Sequence, residues 1–452
     1  MPSAFIYLGI LLLIVCVWFL VFKRPVYEAV LLSFIVLIAV TGKWSKVGDY
    51  IDGALSTSLL YSMVAFVAMS MIMTKTQILD SCVGIILSLL GRFTGGAGYV
   101  TVAAASFMGA LSGSGPANVM TTGVMTIPAM KKSGFPPELA ANIQSNSSYL
   151  GNMIPPSNNI LAALEALAVA APLAVVSQGQ FWIIMWGLSL WFIIQRVIMV
   201  LIFCKHYKVK PIPKEELPRF RDALKAGWQG LLLPVIIIAP FLLDYLFKDT
   251  FFTSRLGAKG ASQLSKSLLL FVAGLSAIIT CLLAKDKKQV SPHSIAKMFA
   301  DGVKSIAPTI GVCVFGYMIG ELFADLNVTG ELEVFFASLG MGKLWLVIVV
   351  CIITCILGMI IPGSTIVVTF GPLFITMLMS VGVNPVLAAG MLPCICGVMC
   401  GITPPLGLGI YTGMALAESD FDKTIKNNMW WVAAQFILQI IVLMGWLPII
   451  GL

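Results

Sequence analysis

The feature that most limits the fold is a series of apolar segments, each about 20 residues long, with almost no charge. Runs such as 4–22, 181–204 and 428–449 are continuous rather than alternating. A helix of that length spans a bilayer, whereas a transmembrane β-barrel would need alternating residues. Only 11% of the residues are charged, against about 25% in soluble domains. The sequence therefore predicts an all-α polytopic membrane protein.

A second feature is an internal similarity at a constant offset of 249 residues. The matching pairs are 50–53 with 299–302, 90–91 with 339–340, 109 with 358, and 154–156 with 403–405. Internal repeats of this kind are common in secondary transporters. The sequence predicts a first repeat over 1–210, a linker over 211–227 and a second repeat over 228–452.

Each repeat contains two interrupted apolar segments. Gly, Ser and Pro break the segments at about 93–132 and 343–381, which we interpret as re-entrant hairpins. The segments at about 137–171 and 383–418 are too long for one straight crossing, and Pro-Pro pairs break them. Because two adjacent prolines remove two backbone donors, a continuous helix is excluded there. These segments are predicted to be broken helices.

The basic residues predict the orientation of the two repeats. With both hairpins re-entrant, 20 of the 28 Lys and Arg residues fall on one side of the membrane. That side is the cytoplasm by the positive-inside rule, so both termini are predicted to lie outside. The two hairpins then open to opposite sides, and the repeats are inverted relative to each other.

The interrupted segments are where binding chemistry is expected. Irregular backbone inside a bilayer is tolerated where it is buried in protein or lines a cavity. Carbonyls freed by the breaks, together with Ser, Thr and Asn oxygens, suit a small cation such as Na⁺. Helix N-termini at the hairpin tips suit an anionic group. We expect two cation sites flanking one substrate site, each formed by a hairpin tip and the broken helix of the same repeat.

Glu165 follows the first broken segment and has two interpretations. A carboxylate at mid-membrane is a functional candidate, so Glu165 could carry a proton or line the cation path. Its segment ends near Ala171, so it could also lie at the interface.

Several motifs resemble one known family. GALSGSGPANVMTTGVMTIPAMKKSGF followed by IPPS, and LGMIIPGST with ITPP in the second half, resemble the large membrane subunit of TRAP transporters. These are tripartite ATP-independent periplasmic transporters of the ion transporter superfamily. The motif style is closest to the TAXI-type branch, whose permeases often carry a fused small subunit. At 452 residues this chain has no room for four extra spans.

The resemblance implies a mechanism, partners and site residues. It implies an elevator mechanism, in which a transport domain slides against a scaffold domain during Na⁺-coupled uptake of a small carboxylate. A periplasmic binding protein would deliver the substrate, and a small four-helix membrane subunit would brace the scaffold in the inner membrane. One Na⁺ site would use Ser112, Ser114, Asn118 and the backbone near Pro155 and Ser157. The other would use Pro362, Ser364, Thr365 and Thr403. The residues expected around the substrate, between the two tips, are Gly113, Gly115, Pro156, Gly363 and Pro404.

Three alternative functions are a single-component transporter, an intramembrane enzyme and a channel. A single-component Na⁺/carboxylate symporter or antiporter of the same superfamily would work without a binding protein. An intramembrane enzyme would need a recognisable nucleophile and base or a metal pair, and neither histidine lies in a predicted span. A channel would need a continuous pore. The sequence therefore favours a transporter and not an enzyme.

Overall fold

A computed structural model describes residues 3–452 apart from 57, 77–79, 113–114, 175, 212–216, 218, 285, 339, 360 and 405–406. The regular elements in this part of the chain are all helical. The prediction of an all-α fold is confirmed.

The first part of the chain contains ten helices within the described residues. They are α1 (Ser3–Leu20), α2 (Val26–Thr41), α3 (Val47–Ser56), α4 (Ser58–Lys75), α5 (Asp80–Leu90), α6 (Gly96–Ser112), α7 (Gly115–Lys132), α8 (Pro137–Leu150), α9 (Asn158–Ala170) and α10 (Gln178–His206).

The second part contains ten more helices within the same described set. They are α11 (Phe220–Phe247), α12 (Thr253–Leu283), α13 (Pro292–Asp325), α14 (Val328–Ser338), α15 (Lys343–Gly358), α16 (Gly363–Met379), α17 (Pro385–Leu392), α18 (Met399–Ile402), α19 (Leu408–Ala417) and α20 (Phe421–Leu443). A π-helical segment, Pro393–Val398, joins α17 to α18.

Few of these helices could cross a membrane without interruption. Among the described residues, three stretches are long and apolar enough: Gln178–His206, Gly227–Ser265 and Pro385–Ile402. A bent pair, Ile310–Asp325 with Gly330–Phe336, is a fourth candidate. Eight further apolar helices are 10–17 residues long, shorter than the ~20 residues of a simple span. Most of the apolar sequence is therefore divided into shorter pieces.

The pieces begin and end for local reasons. Ser157 is the N-cap of α9, where its side chain accepts a hydrogen bond from the Asn159 backbone N–H. Asp420 caps α20 in the same way, accepting from Lys423. Ser291 caps α13, where its side chain accepts a hydrogen bond from the Ser294 backbone N–H. Capping side chains satisfy backbone donors that have no partner within the helix.

Two groups of helices surround the interrupted segments. The pair α6–α7 packs on α8, and the pair α15–α16 packs on the π-helical segment. The far halves of the broken helices pack across the chain: α9 lies against α16, and α19 lies against α7 and α8. Outside these, α2 packs on α13, α4 on α12 and α5 on α11. The interrupted segments therefore form the centre of the molecule.

Candidate functional site

The first hairpin meets the first break at a very close helix crossing. A Cβ atom on Gly109 of α6 would lie 2.3 Å from the Ser148 carbonyl oxygen, and one on Gly151 would lie 2.3 Å from the Gly109 carbonyl carbon. The Ser106 hydroxyl donates to the Ser147 carbonyl oxygen at 3.0 Å. Because any larger residue would push the two backbones apart, glycine is required at both positions.

The second hairpin approaches its own broken helix in the same manner. A Cβ atom on Gly358 would lie 3.1 Å from Cys400 Cα, and one on Gly363 would lie 2.5 Å from Gly397 Cα. The Gly363 backbone N–H donates to Cys400 Sγ at 3.2 Å. Backbone at the start of α16 is therefore held directly against the segment that precedes the second break.

The first break contacts the π-helical segment of the second half, and α20 contacts the edge of the second break. Asn152, in the first break, donates from Nδ2 to the Gly397 carbonyl oxygen at 3.3 Å. Asn428 of α20 donates to the Ile402 carbonyl oxygen, at the edge of the second break, at 2.6 Å. Side-chain amides thus satisfy some of the carbonyls near the interruptions, as buried polar groups require.

The structure places the predicted residues of the first cation site as follows. Asn118 is 1% exposed. Its Nδ2 donates to the Ala105 carbonyl oxygen at 2.6 Å, and its Oδ1 is buried with no hydrogen-bond partner among the described residues. Ser157 is buried at the first break, directly after the cis Pro155–Pro156 peptide bond. Ser114, Gly113 and the Ser112 side chain lie outside what the structure describes.

The predicted residues of the second cation site lie on α16 and at the second break. Pro362 is the N-cap of α16, Thr365 is buried and Ser364 is half-buried. Thr403 is buried in extended backbone, and its hydroxyl donates to the Met399 carbonyl oxygen. The start of α16 and Thr403 both lie next to residues 396–400.

The predicted substrate residues take several positions around the two tips. Gly115 and Gly363 are the first residues of α7 and α16, Pro156 is buried in the first break, and Pro404 is half-buried in the second. Glu165 lies on α9 and is half-buried.

Helix α8 carries buried polar residues that are not among the site residues predicted from the sequence. Asn142, Gln144, Ser145 and Asn146 are all fully buried. Gln144 donates to the hydroxyls of Thr122 and Ser148, the first of which lies on the first hairpin. The run NIQSNSSY within a predicted span was the available signal, because membrane helices seldom bury so many polar side chains without a role.

The polar groups at the two junctions are uncharged hydroxyl, amide and carbonyl groups together with the Cys400 thiol. Among the described residues, no three or more His, Cys, Asp or Glu side chains are placed to hold a metal ion together. Carbonyl, hydroxyl and amide oxygens are instead concentrated at the breaks. An all-helical bundle with paired broken segments at its centre is the architecture of secondary transporters.

Comparison with known proteins defines the family. The profile of the family described as "Tripartite ATP-independent periplasmic transporter, DctM component" matches residues 9–450. The chain belongs to this family. It is accordingly a multi-pass inner-membrane permease subunit and not an enzyme.

Two relatives and one solved structure show how distant the similarity is. The C4-dicarboxylate TRAP transporter large permease protein DctM of Vibrio cholerae is 23% identical over 411 residues, covering 85% of this chain and 84% of that protein. Its Pseudomonas aeruginosa namesake is 25% identical over 402 residues, covering 88% and 86%. The structure of Neisseria gonorrhoeae MtrF matches with a TM-score of 0.64 at 15% identity, covering 92% of this chain and 86% of that one. The last likeness concerns the fold alone.

Proposed function

We propose that the chain is the Na⁺-coupled permease subunit of a transporter that takes up a small carboxylate. The observation that carries this proposal is the concentration of neutral, buried oxygens where two hairpins meet two broken helices. Na⁺ is a hard cation that is bound by oxygen ligands without any need for Cys or His. A site of this composition favours sodium over a transition metal.

The two cation sites are proposed at the two hairpin–break junctions. The first would comprise Ser112, Ser114, Asn118 and the backbone near Pro155 and Ser157. It is supported by Asn118 Oδ1, a buried acceptor without a partner among the described residues. The second would comprise Pro362, Ser364, Thr365 and Thr403. The substrate carboxylate would lie between the tips, near Gly113, Gly115, Pro156, Gly363 and Pro404.

An inverted repeat is supported by contacts that recur at the offset found in the sequence. Gly109 approaches Gly151, and Gly358 approaches Cys400, each member shifted by 249 positions. Ile154 and Thr403, related by the same offset, both have extended backbone at the end of a half-helix. Together with the basic-residue distribution, these contacts support inverted halves with both termini outside.

The same arrangement supports an elevator mechanism, which we propose for this chain. The crossed packing of α9 on α16 and of α19 on α7 joins both hairpins and both broken helices into one unit. We propose that this unit is the transport domain and that helices such as α2, α4, α12 and α13 form the scaffold. Movement of the unit would expose the substrate site to each side in turn.

The proposed partners are a periplasmic substrate-binding protein and a small four-helix membrane subunit. The tripartite description of the family supports both. The two relatives described above are named for C4-dicarboxylates, which supports a small carboxylate as the substrate class. The alternative is a single-component Na⁺/carboxylate symporter or antiporter.

Uptake into proteoliposomes tests the proposal. The chain is reconstituted with and without its two partner components, and uptake of radiolabelled succinate and fumarate is measured under an inward sodium, potassium or proton gradient. We expect uptake only with the sodium gradient and only with the binding protein present. Equal uptake under a potassium or proton gradient would contradict the proposed sodium coupling. Uptake by the chain alone would establish the single-component alternative.

Substitution of proposed sodium ligands in the same assay tests whether those residues belong to the cation sites. Ser112→Ala and Thr403→Ala should each raise the sodium concentration for half-maximal uptake roughly tenfold to a hundredfold, because one lost polar contact to an ion costs about 1.5–3 kcal/mol. Thr412→Ala is the matched control, since the Thr412 hydroxyl also bonds the carbonyl four residues earlier but lies beyond the break. An unchanged sodium dependence in the first two variants would exclude those residues from the sites.

A further inference from the structure

One aromatic side chain from the first half lies inside the break of the second half. Tyr149, in the last turn of α8, is 6% exposed. A Cβ atom on Gly401 would lie 1.8 Å from Tyr149 Cδ1 and Cε1, and one on Gly409 would lie 2.3 Å from Cε2. Gly401 belongs to α18 and Gly409 to α19. The two sides of the break therefore touch opposite edges of the same ring.

The ring also contacts the first hairpin. A Cβ atom on Gly115, the first residue of α7, would lie 2.5 Å from Tyr149 Cζ. Three glycines from three helices thus surround one phenol ring. A real Cβ atom does not approach another heavy atom so closely, so each of these positions is limited to glycine as long as the ring is present.

Helix α8 holds the ring in place. Ser145, one turn before Tyr149, donates to the Gly409 carbonyl oxygen at 2.7 Å. Asn146 donates to Asn428 Oδ1 at 3.1 Å, and Asn428 donates in turn to the Ile402 carbonyl oxygen. These bonds tie α8 to both sides of the break, so the ring is fixed relative to the two helix ends that it contacts.

The equivalent position of the second half cannot form the same arrangement. The position 249 residues after Tyr149 is Val398, which has no ring. At the first break, the Asn152 and Asn159 side chains lie beside Gly397 of the second half, and no ring takes part in this contact. The two breaks therefore keep their shapes by different means, although their sequences match.

We propose that Tyr149 is a positioning residue, whose ring packs against both α18 and α19 and thereby sets the geometry of the site around Thr403. This inference rests on the proposed function for its consequence, sodium binding, but the wedge itself is a property of the fold. Since the ring also touches Gly115, it links the first hairpin tip to the second cation site. Loss of the ring should weaken sodium binding at a site that Tyr149 does not itself form.

Sodium-dependent thermal stabilisation tests the consequence without a known substrate. The full-length transporter is unfolded by heat across a series of NaCl concentrations, with choline chloride keeping ionic strength constant. A ligand that binds only the folded state raises Tm according to its concentration and Kd. Tyr149→Phe should leave the sodium midpoint within about twofold of the native one, and Tyr149→Leu should raise it roughly tenfold, within the usual range of coupling between sites.

Two further variants keep this test decisive. Tyr411→Leu is the matched control, because Tyr411 lies on α19 and stacks on Phe421, away from the break. It should not change the sodium midpoint. Tyr149→Met replaces the ring by an unbranched chain if the leucine variant does not fold. A lower Tm in Tyr149→Leu with an unchanged sodium midpoint would overturn the positioning role, because the ring would then only fill space.

A double-mutant cycle tests the wedge independently of sodium. Gly401→Ala should lower Tm strongly in the native background, because its Cβ has no room beside the ring. The same substitution should be close to neutral in the Tyr149→Ala background, where that space is free. Equal effects in both backgrounds would overturn the wedge. If the native protein shows no response to sodium, the proposed coupling fails, and this cycle still decides the role of Tyr149.

Discussion

At the scale of single residues, Arg196 is the most unusual side chain of the membrane-embedded part. It is fully buried on α10, and Nη1 donates to the side-chain oxygens of Gln195 and Gln435. Nε and Nη2 have no hydrogen-bond partner among the described residues, and the ion pairs found there do not include Arg196. A buried cation held by amides alone depends heavily on each of them.

We therefore expect loss of the Gln435 acceptor to lower the free energy of unfolding more than loss of the Arg196 cation does. Gln435→Leu leaves the guanidinium without a main partner and should lower the free energy of unfolding by about 2 kcal/mol or more. Arg196→Met should cost less, because it removes the charge that needs a partner. In the double variant most of the Gln435→Leu effect should disappear. Thermal unfolding of the four proteins gives the coupling, and additive effects would show that the two residues are independent.

At the scale of elements, glycine crossings decide where the hairpins lie. Gly109 packs α6 against α8, and Gly363 packs the start of α16 against Gly397. Each crossing joins a hairpin to the broken helix of its own repeat. The backbones are close enough for carbonyl and amide groups of both elements to face the same small volume, which is what a cation site made of backbone oxygens requires.

Gly109→Ala tests how much thermal stability depends on the close crossing of α6 and α8. The new methyl group would lie 2.3 Å from the Ser148 carbonyl oxygen, so α6 must move, and overpacking of this kind costs about 1–3 kcal/mol. Thermal unfolding should show a clear drop in Tm. Gly274→Ala is the control, since nothing lies within 4 Å of a Cβ at that position on α12, and there Tm should stay level or rise slightly. Equal Tm values for the two variants would contradict the close crossing.

The sequence predicts the all-helical fold but not the partners of the breaks. Gly-Ser and Pro-Pro segments disrupt helices through local chemistry, so their positions can be read without a structure. The wedge of Tyr149 between Gly401 and Gly409 joins residues more than 250 positions apart, and no local pattern marks it. The buried amides of α8 were visible as a polar run, but their acceptors on α20 come from tertiary packing.

At the scale of the whole molecule, the two halves are interlocked. Besides the crossed packing at the centre, an ionic cluster joins them at one end, where Asp325 accepts from Lys43 at 2.8 Å, from Lys46 and from the Tyr50 hydroxyl at 3.1 Å. Asp325 ends α13, whereas Lys43 and Lys46 lie between α2 and α3, and Tyr50 lies on α3. These contacts hold the two halves of the chain together at that end.

Labelling of the two tips from each side is the most direct test of the proposed inverted arrangement of the hairpins. Ser114→Cys and Ser364→Cys are conservative changes, one at each tip, and Ser364 is half-buried rather than tightly packed. A membrane-impermeant thiol reagent is applied to either side of oriented vesicles, with the native chain as the control for its own cysteines. We expect the cysteine at 114 to react from the cytoplasmic side and the one at 364 to react from the outer side, with sodium changing both rates. Reaction of both cysteines from the same side in every condition would contradict the inverted arrangement and the alternating access built on it.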